Sequence, residues 1–556
     1  MNRLPPRAPK RKNDRVILQF DYDCFYASVF ENQNPALKSL PLGVRQKGIL
    51  ATCNYVARAR GVAKLSPIAA AKKACPELVV LDGEDLSPFR DVSKRLYRML
   101  KGHSWNGKVE RLGLDEVFMD VTDIVDYNIL CLNRATLSSS FFHLSKSDPE
   151  NGFLCDLTRF AGCVEGGSPD SVDPDSSLCL RLLLGSHLAY YLRSKLEHDH
   201  GYTSTCGIAT NKLLAKLAGG KNKPRNQTTL LSLTDDAVTT FVDSHSLRQM
   251  PWIGFKAGKL LHAKLLPDLP LQDPMSMDCK LTAGDVRTHP EINPASLETL
   301  LGGPGAEKGA GERVWGLLHG VDDTEVKPAS DIPTQISIED TYRGLDDLAC
   351  ITEELRKLSR SLIRRMRVDL VEDDDNPHRE AAQRWIARPK TLRLSINAPL
   401  TGGEDEGYFS RISRSAPLPA FVFRLREAVD QQADRLVGEA VLPLLRKFQA
   451  GRGDKWGILL LNICVTNMVL TGSDDGTGQG RDISVMFKTQ DEVLKPFRVE
   501  SSPKDGGHQQ RDNGVDDEWY PEWDDFGDGE PCSQCGYRIP YFALVAHLRY
   551  HELGDS

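Results

Sequence analysis

Residues 109–123, VERLGLDEVFMDVTD, read as two short apolar strands joined by a bend, with Asp115 and Glu116 at the turn. The stretch that completes them lies about ninety residues earlier. In RVILQFDYDCFYA (15–27) a strand starting near Val16 delivers Asp21 at its C-terminal end. Adjacent strands lie about 5 Å apart, so the two elements can set three carboxylates around one small site. Carboxylates packed together repel one another unless cations hold them. Hard divalent ions with oxygen ligands, Mg²⁺ above all, meet that need, and phosphate chemistry commonly follows. An isolated Asp-Glu pair is usually a surface turn. This one stands apart by its company, since Phe25 and Tyr26 follow the first acid and a Lys-Pro run, GGKNKPRNQT, follows the second.

These strings resemble the Y-family translesion DNA polymerases, and within that family the iota type. DYDCFYA, GVRQKGILATCNYVARARGV, KKACPELVVLDGEDL, VERLGLDEVFMDVTD and GIATNKLLAKLAGGKNKPRNQT carry the resemblance from about Val16 to Thr228, and more loosely to about residue 470. VERLGLDE and the Gln46-Lys47 pair are the iota-type features. An eta-like translesion polymerase is the alternative within the class. Outside it stands a catalytically silent adaptor that binds a clamp and ubiquitin, though such a scaffold has no need of Asp21, Asp115, Glu116 and Lys223 together.

The 556-residue chain is too long for one core, so an α+β multidomain protein is expected. The resemblance implies a right-hand polymerase with a ferredoxin-like palm, small fingers, a helical thumb, an α/β little finger and a small ββα-type zinc finger. The palm is expected at 1–24 and 88–235, interrupted by the fingers at 25–87. A Ser-, Gly- and Asp-rich stretch at 132–177 reads as a loop inserted in the palm. The thumb is expected at 236–331, with a helix-hairpin-helix in LRQMPWIGFKAGKLL whose turn offers backbone N–H groups to phosphate. The little finger follows at 332–472, with strands in PTQISIEDTY, KTLRLSINA and KWGILLLNICV. Between them RWIARPK and SRISRSAPLP read as Arg-rich turns, and VFRLREAVDQQADRLV reads as a helix. Arg384, Arg388, Lys390, Arg393, Arg411 and Arg414 are the candidate phosphate contacts there.

A net charge of −7 conflicts with DNA binding until its distribution is considered. Residues 473–530 hold 16 Asp/Glu against 6 Lys/Arg, a net −10, which leaves +3 for the rest. The acid belongs to an expected linker at 473–525. No apolar run reaches the roughly eighteen residues that a membrane span needs. MNRLPPRAPKRKNDR lacks the apolar core of a secretory signal. Thirteen scattered cysteines suit free thiols in a reducing compartment. Lys10-Arg11-Lys12 is a candidate nuclear-import patch, and a nuclear monomer is expected.

The resemblance also implies roles. Asp21 and Asp115 would be ligands shared by two Mg²⁺ ions (Mn²⁺ being the alternative), with the Tyr22 carbonyl as a further ligand and Glu116 serving the ion at the primer 3′-hydroxyl. Phe25, Thr52, Tyr55, Arg58 and Lys223 would contact the dNTP, with Arg225 standing where Asn is usual after the Pro. Tyr26 would be the steric gate against ribonucleotides. Gln46, Lys47, Ile49 and Leu65 would roof the nascent base pair. Asp23 matches a ligand by type but is taken as structural.

Two attachments close the chain. Cys532, Cys535, His547 and His551 form C-x₂-C-x₁₁-H-x₃-H, a tetrahedral Zn²⁺ pattern. It resembles the ubiquitin-binding finger of eta-type polymerases, except that Arg549 stands where an acidic contact is usual, and contact with DNA or another protein is the rival. GRDISVMF resembles a sliding-clamp box through Ile483, Met486 and Phe487, with Gly480 in place of the usual Gln.

Overall fold

The computed structural model describes residues 8–251, 253–266, 281–302, 308–373, 383–398, 410–448 and 456–471, with two short strands at 529–531 and 538–540. Residues 1–471 form one compact unit and 472–556 a second. No described helix is long and apolar enough to cross a membrane.

Strand β1 (Ile17–Tyr22) enters the first unit and helix α1 (Phe25–Gln33) follows it directly. A small sheet comes next, from β2 (Leu42–Gln46), β3 (Ile49–Cys53) and, after α2 (Tyr55–Ala59) and α3 (Ile68–Ala74), β4 (Val79–Asp82). Its order is β3-β2-β4, closed over a core of its own that includes Leu50, Ala57, Val62 and Leu78. Helix α4 (Ser87–Lys101) leads back to β5 (Val109–Leu112) and β6 (Glu116–Asp120), the two arms of the acidic hairpin. After α5 (Thr122–Cys131) come β7 (Ser140–His143), β8 (Gly152–Cys155) and β9 (Cys163–Glu165). The long α6 (Ser177–His200), β10 (Ser204–Ala209), α7 (Lys212–Gly219) and β11 (Gln227–Leu230) complete this half.

Among the described residues six strands join in the order β5-β6-β1-β10-β11-β9. The first four pair antiparallel with one another, in the order that a β-α-β-β-α-β unit gives, and β11 joins β10 in parallel. Period-two alternation divides the sheet into two cores. Leu18, Phe20, Tyr22, Val117 and Met119 face α4 and α6, whereas Ile17 and Phe118 face α7 and the helices beyond it.

Residues 132–177 differ from the expected loop. β7 and β8 pair as a hairpin, and β9 becomes an edge strand parallel to β11. The polar composition conceals a few apolar anchors, and Phe142, Leu157 and Phe160 are buried in the main core.

The helices α8 (Asp235–Asp243), α9 (Phe255–Leu265), α10 (Ala283–Thr288), α11 (Pro294–Leu301) and α12 (Ala310–Leu318) follow. A second sheet is then built from β12 (Gln335–Leu345), β15 (Ala387–Ala398), β16 (Ser410–Pro417) and β17 (Ile458–Leu470), in the order β12-β17-β15-β16. Between its strands lie α13 (Leu348–Leu370), the pair β13 (Val371–Asp373) and β14 (Gln383–Trp385), α14 (Val429–Leu436) and α15 (Leu442–Arg446). The sequence reading overlooked α13, although its buried Ile351, Leu355, Leu358, Leu362 and Met366 recur at helical spacing.

The Arg-rich segments are strands rather than turns. Arg411, Ser413 and Ser415 of β16 lie opposite Asn397, Ser395 and Arg393 of β15, which makes one polar face. Leu392, Leu394 and Ile396 turn into the core below α13. The helix expected over VFRLREAVDQQADRLV begins only at Val429. Before it, Gln432 Nε2 donates to the carbonyls of Phe421 and Arg424, and Arg367 Nη2 donates to that of Glu427. These partners stabilise a turn that a continuous helix would abolish.

Candidate active site

The register across β1 sets the site. Asp21 lies opposite Glu116 on one side and Thr205 on the other, and the Tyr22 N–H donates to the Asp115 carbonyl at 2.9 Å. Beyond Tyr22 the chain turns at Cys24, whose φ of 44° is left-handed, and runs straight into α1. This turn sets Phe25 and Tyr26 beside the acids.

Helix α7 holds the acidic hairpin from the sheet face that bears Gln19, Asp21, Glu116 and Phe118. Glycines permit the approach, since a Cβ on Gly207 would overlap the Ala215 carbonyl and the Gly219 nitrogen. Lys212 and Lys216, one helical turn apart, then each reach one glutamate. Lys212 Nζ lies 2.6 Å from Glu110 Oε2 on β5, and the Lys327 N–H donates to the same oxygen at 3.1 Å. Lys216 Nζ contacts both carboxylate oxygens of Glu116, at 2.6 Å for Oε2, and Gln19 Nε2 donates to Oε1 at 3.0 Å. The sequence reading missed Gln19, Lys212 and Lys216. The signal was present in NKLLAKLAGG, where two lysines four apart share one helix face above a small-residue contact.

One cavity of about 320 Å³ gathers most of the candidate residues. Asp21, Asp115, Tyr22, Phe25, Tyr26, Thr52, Tyr55, Arg58 and Lys223 all line it. So do Cys24, Ala51 and Lys64, which had not been singled out as site residues. The half-buried Tyr26 ring stacks at a tilt against Phe89, with centroids 4.4 Å apart. The Arg58 guanidinium lies over the Tyr55 ring and its Nε donates to the Cys53 carbonyl. Burial, reinforced by Asp23, pushes the Tyr55 hydroxyl up to about 12, so it is a neutral donor at physiological pH.

Charge is unbalanced at the acids. Lys223 Nζ pairs with Asp21 Oδ2 at 2.7 Å. Among the described residues no cation pairs so closely with Asp115, and desolvation together with the Asp21 charge pushes its carboxyl up to about 6. Adjacent carboxylates lining one cavity, with the Tyr22 carbonyl beside them, are the donor set that a hard divalent ion fits. Even so, among the described residues no three acidic, His or Cys side chains form a ready-made metal cluster. Glu116 does not line the cavity that Asp21 and Asp115 share, and its carboxylate is held by Lys216 and Gln19.

Asp23 is held structurally, accepting from Thr205 Oγ1 at 3.0 Å and the Arg225 N–H at 2.9 Å. The Arg225 side chain goes to Glu197 on α6, so the unusual residue after Pro224 leaves Lys223 free to face Asp21.

The four roof candidates lie outside this cavity. Gln46, Lys47 and Ile49 line a second one of about 630 Å³, shared with Ile338, Asp340 and Thr341 of β12. There Lys47 pairs with Asp340 and lies 5.3 Å from the Tyr342 ring centre. Leu65 is 59% exposed. Of the six basic candidates, Arg384 pairs with Glu372 and Arg411 with Glu339, Arg388 lies over Phe423 and Arg414 over Phe448. Lys390 is exposed and Arg393 lies on the polar sheet face. In the candidate import patch, Arg11 is committed to Asp235 and only 4% of its side chain is exposed. Cys532, Cys535, His547, His551, Ile483, Met486 and Phe487 lie outside the described residues.

Residues 20–220 match the impB/mucB/samB family, and residues 333–481 match that family's C-terminal domain. Among similar proteins, the DNA polymerase iota of Homo sapiens is 32% identical over 413 residues, covering 74% of this chain and 47% of that protein. The Drosophila melanogaster DNA polymerase iota is 31% identical over 357 residues, covering 64% and 42%. DNA polymerase IV of Francisella tularensis subsp. novicida is 28% identical over 348 residues, covering 62% and 75%. The chain thus spans about half the length of the two iota relatives.

Proposed function

Because the chain belongs to the impB/mucB/samB family, the Y-family polymerases, and matches both of its domains, we propose that it is a template-directed, error-prone DNA polymerase of the iota type. It would join the α-phosphate of a dNTP to a primer 3′-hydroxyl, releasing pyrophosphate, in translesion synthesis. The observation that carries this reading is the one cavity of nucleotide size that Asp21, Asp115, Tyr55, Arg58 and Lys223 line together.

In this reading Asp21, Asp115, Glu116 and the Tyr22 carbonyl hold two Mg²⁺ ions. Bound there, the ions would activate the primer hydroxyl and neutralise charge on the phosphates. Arg58 and Lys223 grip the triphosphate, one as a planar fork and the other as a point charge. Thr52 and Tyr55 donate to its oxygens. The Tyr26 ring, backed by Phe89, lies below the sugar and leaves no room for a 2′-hydroxyl. Gln46, Lys47, Ile49 and Leu65 border the nascent base pair.

The first sheet then serves as palm and the β2–β4 segment as fingers. Helices α8–α12 act as thumb, and the second sheet is a little finger whose polar face with Arg393 and Arg411 lies toward DNA. The C-terminal Cys and His residues hold Zn²⁺ in a finger that binds ubiquitin, and Ile483, Met486 and Phe487 bind a sliding clamp. The protein acts in the nucleus as a monomer.

Single-nucleotide insertion opposite each of the four template bases tests this reading. Accurate insertion opposite A with frequent G opposite T is expected. Equal fidelity on all four templates would assign the chain to the eta type. Absence of insertion with both Mg²⁺ and Mn²⁺ would overturn the polymerase reading in favour of the adaptor.

A further inference from the structure

Lys223 pairs with Asp21 and Lys216 with Glu116, and these two lysines have different geometry. Lys223 lines the cavity, where it can follow a ligand's charge. Lys216 does not line it. It is fixed on α7 above the glycine contact, touches both oxygens of Glu116, and is 35% exposed against 16% for its partner. Gln19 Nε2 secures one oxygen of that carboxylate from β1. Glu116 therefore has a protein partner on each oxygen, and a cation bound to either would sit against the Lys216 ammonium, which repels it.

We infer that Lys216 is a positioning residue that occupies Glu116 when no divalent cation is held and releases one oxygen when a cation enters. The inference rests on the proposed metal site and deepens it. Lys216 has two opposing effects on that site. It aims the carboxylate, and it competes with the metal for it, because an ammonium and a cation on the same oxygens repel. The protein trades cation affinity for a Glu116 rotamer that is already set.

The test is Mn²⁺ binding to the full chain without DNA or nucleotide, with free Mn²⁺ followed by EPR, for wild type, Lys216→Met, Lys216→Arg and Glu116→Gln. Lys216→Met should bind Mn²⁺ about threefold or more tightly than wild type, because a competing cation is gone. In single-nucleotide insertion the same variant should lose kcat while KM for the dNTP holds, and Lys216→Arg should restore both properties toward wild type. Combined with Glu116→Gln, Lys216→Met should leave affinity unchanged from Glu116→Gln alone. If Lys216→Met does not fold, Lys216→Gln carries the same comparison. Unchanged or weaker Mn²⁺ binding in the Lys216 variant overturns the inference. So does equal tightening in the Glu116→Gln background, which would reflect general electrostatics. A wild-type chain that binds no Mn²⁺ overturns the metal reading itself, and a competent wild type with an indifferent Lys216 overturns only the inference.

Discussion

Asp115 is the residue whose environment is hardest to satisfy without a ligand. Its ordinary carboxyl value is 3.8 and desolvation beside Asp21 raises it to about 6. The folded state therefore holds a proton that the unfolded chain has lost, and stability falls as pH rises from about 4 to about 6. Asp115→Asn removes that loss. In EDTA its thermal unfolding should lie above wild type at pH 7, by about 1 kcal/mol or less because Asp115 is solvent-exposed and its charge is screened, with the advantage vanishing near pH 4. Mg²⁺ should narrow the gap by stabilising wild type alone. At Tyr26 the expectation concerns selection of the sugar. Tyr26→Ala should lower the preference for dNTP over rNTP by about tenfold or more, read from the ratio of kcat/KM values. The acids could be read from carboxylates at strand ends, and the resemblance picked out Tyr26, Thr52, Tyr55, Arg58 and Lys223, which line the same cavity as Asp21 and Asp115. Lys216 was not legible, because one lysine among several on a helix looks alike until the sheet face below it is known.

At the scale of elements, the site depends on how closely α7 approaches β10. Gly207→Ala should push the helix off the sheet, costing about 1 to 3 kcal/mol in urea unfolding and lowering the insertion rate, because Lys216 moves with the helix. The strands β1, β5 and β6 could be read from apolar runs and a turn. The misread elements share a cause. In β16, Arg411 lies on the polar face and Arg414 on the other, over Phe448, so the strand lacks a clean alternation and resembles a basic turn. In 132–177, a few buried aromatics order a segment whose composition is otherwise that of a loop. In 422–428, Arg367 of α13 claims the Glu427 carbonyl, a partner 60 residues away that local sequence does not reveal.

At the scale of the molecule, the second sheet joins the first half of the chain through particular contacts. Asp369 of α13 pairs with Lys94 of α4 and, at 2.5 Å, with Arg365, and only 5% of its side chain is exposed. Asp369→Ala would leave Arg365 largely buried without its partner, so a loss of about 3 kcal/mol is expected in thermal unfolding. Because residues 1–471 are compact by themselves, a chain ending there should retain nucleotide insertion on primer-template DNA. The central claim is that Asp21, Asp115 and Glu116 form the catalytic centre of a polymerase. Primer extension with Mg²⁺ by wild type and by the Asp115→Ala/Glu116→Ala variant tests it most directly. Wild type should extend the primer, and a folded double variant that still binds the primer-template should not. Extension by that variant at the wild-type rate would contradict it.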